Sequence, residues 1–99
     1  MTITEDWLVN FSDLKAIYSA NDTMALGAIE ALKNDGKNGT ILVTGCDGTE
    51  AAYDAVKSGD MFSTIANDGY MIAGYGAAHS YYAAIGEYKV DEVDPADRL

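Results

Sequence analysis

Ile41–Asp47 reads ILVTGCD, an apolar and β-branched run that stops at a glycine, a cysteine and an aspartate. The same kind of ending recurs in Ala16–Asp22 (AIYSAND) and in Phe62–Asp68 (FSTIAND). The most strand-like part, Thr40–Gly45, is apolar on both alternating faces, as a central parallel strand should be. A stretch with helical spacing follows each of the three runs. Strands separated by helical crossovers predict a parallel sheet built from right-handed units. In such a sheet the carboxyl ends of the strands form the rim where small polar ligands bind. The pairs Asn21-Asp22, Cys46-Asp47 and Asn67-Asp68 are therefore expected to share one polar rim.

Outward from these runs, the rest of the chain falls into place. Thr4, Glu5 and Asp6 look like a helix start, a hydroxyl cap with acids in the positively polarised first turn, and Trp7, Leu8 and Phe11 supply its apolar side. The first strand is expected over Leu14–Ala20. Asp22 can cap the helix Thr23–Asn34, which is apolar nearly all round and so largely buried. Thr49 and Glu50 open a helix that ends at Ser58-Gly59, and Met61–Ala66 is the third strand. In the last helix, Tyr70–Ile85, the residues Met71, Tyr75, Ala78, Tyr82 and Ile85 form a three-and-four seam that predicts burial. Val90–Leu99 (VDEVDPADRL) is acidic, holds the only proline and reads as a tail or linker. The expected order is α-β-α-β-α-β-α: an α/β fold, three-layer, with a parallel sheet of three strands.

Ninety-nine residues make one small domain. Six basic against sixteen acidic residues give a formal charge of −10, which argues against nucleic acid, whose phosphates need clustered Lys and Arg. A single cysteine excludes an internal disulfide, and no Cys/His set has zinc spacing. The start, MTITED, lacks the basic and apolar segments of a signal peptide, so the chain as given is expected to stay in the cytoplasm. Two features fit poorly with a free-standing domain. Three strands are few for such a layer, and the first strand is apolar on both faces, unusual for an edge in water.

NDTMALGAIEALK (Asn21–Lys33), VTGCDGTEAAYDAVKSG (Val43–Gly59) and FSTIANDGYMIAGYGAA (Phe62–Ala78) together resemble the C-terminal lobe of type 1 periplasmic binding proteins of the sugar-binding group. That lobe is shared with the effector domains of LacI-type repressors. The resemblance implies residues 1–88 as a partial C-terminal lobe and residues 89–99 as an acidic tail leading toward a missing hinge. It implies a sheet order of 2-1-3-4-5 for the whole lobe, with these strands as its third to fifth, so that the absent first strand would flank the exposed edge.

The resemblance also implies ligand contacts. Asn21 stands where the family bonds sugar hydroxyls, Asp47 where it places its main carboxylate acceptor, and Asn67 where it usually has a longer Gln. Cys46 replaces a frequent aromatic and is expected on the pocket wall. Asn21 and Asn67 each offer donor and acceptor, which matches hydroxyls in either sense. The plainer readings are turn residues for both Asn, a turn or helix-start role for Asp47 with Thr49 as the competing cap, and helix caps for Asp22 and Asp68.

The implied function is that of a fragment of an extracytoplasmic solute-binding protein of an ABC-type uptake system, holding a sugar or polyol between two lobes. No reaction, cofactor or metal is implied. Partners would be the ligand and the transporter permease of the full-length parent, which would be periplasmic or extracytoplasmic, and a homodimer is expected through the exposed edge Leu14–Ala20. Two alternatives remain open: the effector lobe of a LacI-type regulator, and a stand-alone Mg²⁺-dependent α/β enzyme or receiver-like domain using Asp22, Asp47 and Asp68.

Overall fold

A computed structural model describes residues 3–87 and Lys89. The tail expected over residues 89–99 lies, Lys89 apart, outside the described residues. The elements run α1 (Ile3–Asn10), β1 (Ala16–Tyr18), α2 (Asp22–Asn34), β2 (Leu42–Asp47), α3 (Glu50–Ser58), β3 (Ser63–Ala66) and α4 (Gly69–Ala84). The order is the one expected, and the sheet is parallel in the order β1-β2-β3. Ile17 pairs with Val43, and Gly45 pairs with Thr64. The chain forms two compact units, Met1–Asn67 and Asp68–Leu99.

In the first unit the core lies between the sheet and α2. Ala25, Ala28, Ile29 and Leu32 recur at three- and four-residue spacing, so one stripe of α2 faces Ile17 and Val43, and all six are buried. Met24, off that stripe, is exposed, so the burial of α2 is one-sided and not all-round as its composition suggested. Ala52 of α3, Ile41 and Met61 close the cluster. The helix stops where the N–H of Asp35 returns to Ala31 O and that of Lys37 to Leu32 O.

The strands alternate. Ile17, Val43 and Gly45 are buried, while Ala16, Tyr18 and Leu42 on the opposite face are exposed. This unit therefore supplies two of the three layers expected, one face of its sheet being covered by helix. β1 is also shorter than Leu14–Ala20, although the flanking residues still bond to β2, Ser19 N–H to Thr44 O at 2.9 Å and Leu42 N–H to Lys15 O at 2.9 Å. α1 starts at Ile3, so Thr4 is a buried residue within the helix and not its cap.

At the end of the sheet away from the rim, Asp60 gathers three elements. Its carboxylate accepts from Lys33 Nζ at 2.6 Å, Asn38 Nδ2 at 2.8 Å and Ser58 Oγ at 3.0 Å. The Lys33 hydrogen bond, then that of Ser58, holds the Asp60 carboxyl below its ordinary value. In the second unit, Asp68 caps α4 by accepting from the N–H groups of Tyr70 and Met71, as expected. The seam expected on α4 is not buried: Tyr75 is 61% and Ile85 49% exposed. Among the described residues of its own unit, α4 has no second element to pack against.

Leu32 is fully buried at the centre of the cluster. Leu32→Ala should lower the unfolding free energy by about 2–5 kcal/mol, read from urea midpoints, through lost transfer energy and the cavity left behind.

Candidate functional site

The rim at the carboxyl ends of the three strands is organised by Asp22, whose residue is 1% exposed. Asn21, not Asp22, caps α2: its Oδ1 accepts from the N–H of Met24 at 2.8 Å. The Asp22 side chain is thereby released to turn inward. Its Oδ2 accepts from the N–H of Thr49 at 2.8 Å and from Thr49 Oγ1 at 3.0 Å, and its Oδ1 accepts from Thr64 Oγ1 at 2.6 Å. Burial pushes this carboxyl up, yet the bonds from Thr64, Thr49 and the Gly48 backbone together prevail and hold it below its ordinary value.

The loop after β2 is shaped around that carboxylate. A Cβ at Gly45 would collide with Asp22 Oδ1 and stand 3.3 Å from Ala25 Cβ, so only glycine lets the acid sit on the strand. A Cβ at Gly48 would lie 2.7 Å from Ala66 Cα, and φ there is +75°. Between them Asp47 has φ +136°, a conformation that L side chains rarely adopt. Thr49 closes the turn by donating its hydroxyl to Asp22 while accepting from Ala52 N–H at 3.3 Å as the cap of α3.

The ligand candidates sit around this hub. Asp47 is exposed, and its Oδ2 accepts from the N–H of Asp22 at 3.4 Å. Asn67 Nδ2 lies 3.3 Å from Cys46 Sγ and 3.5 Å from Asp47 Oδ1, and its backbone N–H reaches Asp47 O at 3.0 Å. Cys46 is half-buried. Asp47, Asn67 and Cys46 are thus in mutual contact, and Asn21 adjoins them through the next residue, Asp22. Thr49, Thr64, Gly45 and Gly48 were not singled out by the residue pattern as parts of the rim. A glycine inside the apolar run ILVTGCD is the one local sign that something approaches the strand closely.

A magnesium site over Asp22, Asp47 and Asp68 does not fit this arrangement. The Asp22 carboxylate is buried and already accepts three hydrogen bonds from Thr49 and Thr64, so it is committed to these donors and not turned to an ion. Among the described residues no three acidic, Cys or His side chains are placed to share a metal.

Comparison with known proteins gives a consistent result. The family model described as a periplasmic binding protein domain matches residues 1–88. A ribose import binding protein of Haemophilus influenzae is 39% identical over 97 residues, 98% of this chain and 32% of that protein. The D-allose-binding periplasmic protein of Escherichia coli is 48% identical over 56 residues, 57% of this chain and 18% of its own length. A crystal structure of an ABC transporter solute-binding protein from Burkholderia multivorans superposes with a TM-score of 0.77 at 28% identity, over 92% of this chain and 32% of that one. The chain spans about a third or less of the length of these relatives. Both curated relatives are named as binding proteins.

The depressed carboxyl of Asp22 sets a direction for acid unfolding. Between its folded value and 3.8, the ordinary value, the unfolded chain binds the extra proton, so stability is complete above that window and is lost as pH falls through the folded value. Urea midpoints should fall as the pH is lowered from about 5 to about 2. Asp22→Asn should flatten that fall and, at neutral pH, lower stability by about 1–3 kcal/mol, because an amide N–H₂ then faces donors.

Proposed function

The chain belongs to the periplasmic binding protein family, and from that premise we propose that it forms one wall of a sugar or polyol site in an extracytoplasmic solute-binding protein of an ABC-type importer. The wall consists of Asn21, Asp47 and Asn67, with Cys46 beside them. The observation that carries this reading is the meeting of two strand ends at Asp47, which is bonded on one side by the Asp22 N–H and approached on the other by Asn67 Nδ2. A carboxylate left exposed among amides, on a backbone held at φ +136°, suits acceptance of ligand hydroxyls. The relatives named for ribose and D-allose support a neutral polyhydroxylated ligand. Residues 1–88 correspond on this reading to part of a C-terminal lobe, followed by a tail toward the hinge, and the permease is the partner of the longer parent protein.

One wall makes part of the contacts that a closed cleft makes. Calorimetric titration of this chain with D-ribose, D-allose and xylitol should therefore give a Kd of roughly 1 mM or weaker, and a value near 1 μM would overturn the one-wall reading. A second copy is the proposed occupant of the β1 edge. β1 has a strand neighbour, β2, on one side, and hollows lined by Trp7, Phe11 and Leu14 and by Ile3 and Met24 adjoin it. Sedimentation should show a concentration-dependent dimer that Ala16→Pro, at an exposed position of the edge, weakens; a monomer at all concentrations would refute the pairing.

A further inference from the structure

A free carboxamide meets a hydroxyl in either sense, because it carries both an acceptor oxygen and two donor hydrogens. Neither rim amide is free in that way. The Oδ1 of Asn21 accepts from the Met24 N–H at 2.8 Å, and a backbone N–H can only donate, so the carbonyl end is held by the helix and the NH₂ end is left over. Asn67 is held the other way round. Its Nδ2 lies between Cys46 Sγ at 3.3 Å and Asp47 Oδ1 at 3.5 Å, and an ionised carboxylate can only accept, so the carbonyl oxygen is left over. The backbone bond from Asn67 N–H to Asp47 O at 3.0 Å keeps the two residues in this relation.

We propose that the rim has a fixed hydrogen-bond sense: Asn21 presents a donor, while Asp47 and Asn67 present acceptors. The inference rests on the reading of the rim as a polyol wall, and it narrows the ligand. The molecule must place a lone pair of a hydroxyl, ether or carbonyl oxygen over the start of α2, and two O–H donors over the ends of β2 and β3. Neutral polyols and cyclic sugars with neighbouring hydroxyls meet this pattern. Their acids do not, because a ligand carboxylate would face the Asp47 carboxylate and the Asn67 carbonyl, acceptor against acceptor. Asn67 then acts partly as a positioning residue, since its NH₂ steadies the carboxylate that takes the ligand.

Asn21→Asp separates the two ends of that amide. Aspartate caps a helix as well as asparagine does, so the Met24 bond and the urea midpoint should be kept, while the ligand-facing donor is removed. Expected in ¹⁵N-labelled full chain are slower solvent exchange of the Asn67 NH₂ than of the Asn21 NH₂, and faster exchange of the Asn67 NH₂ in Cys46→Ala. Expected with xylitol as the probe are shifts of the Asn21 NH₂ signals, an affinity about tenfold lower in Asn21→Asp, and no binding of xylonate. Equal exchange of the two amides, or undiminished xylitol affinity in Asn21→Asp, would overturn the proposal. If the exchange contrast holds while neither xylitol nor D-ribose shifts any rim signal, the fixed sense is supported and the polyol reading is the one that falls.

Discussion

A buried carboxylate at the start of α2 governs the geometry of the rim. Removing the charge of Asp22 from water costs several kcal/mol unless each oxygen finds donors, and here the donors come from other elements. Thr49 belongs to the turn into α3 and Thr64 to β3, so satisfying one side chain sets the relation of three chain segments. Loss of either hydroxyl would leave an under-bonded charge in the interior, which costs more than a surface bond of the same length. The requirement for glycine at Gly45 follows from the same contact, while Gly48 is required by its positive φ and by Ala66 of β3 beside it. The strand must let the acid in, and the loop must bend over it.

Asp60 plays a similar part at the other end of the sheet, with a different weight. It joins α2 through Lys33, the loop before β2 through Asn38, and the end of α3 through Ser58. Its ion pair with Lys33 is partly exposed to solvent, so screening reduces what it contributes to stability. Between the two acids lies the apolar cluster around Leu32, Val43 and Met61, which supplies most of the stabilisation. The fold is thus pinned at the rim by a buried charge, filled in the middle by hydrocarbon, and clipped at the base by a surface network.

The surfaces left uncovered agree with a chain that spans about a third of its relatives' length. Tyr18, Leu42 and Ile65 stand exposed on the first unit, and β1 pairs with β2 alone. Within its own unit, α4 presents Met71, Ile72 and Tyr75 to solvent. Exposed apolar residues grouped on one surface are the kind that protein–protein contacts use. The candidate site is likewise built within the first unit, where Asn21, Cys46, Asp47 and Asn67 gather at the carboxyl ends of the strands.

The sequence by itself determined the alternation of strand and helix, the parallel order and the family. These depend on local periodicity and on short motifs such as NDTMALGA and GCDGT, which can be read without knowing any contact. It also located the rim, because strand ends in a parallel sheet are predictable once the strands are. The tertiary structure decided how the polar residues divide their work. Asn21 and Asp22 are adjacent and both suit a cap, and only the packing of Thr49 and Thr64 against the helix start shows that Asn21 caps while Asp22 is the buried hub. Likewise, the free ends of the two amides depend on Met24, Cys46 and Asp47 as partners, and the pairs that involve β3 lie twenty or more residues apart in the chain. Propensity reports what a side chain can bond; which bond it makes depends on neighbours that only the folded chain brings together.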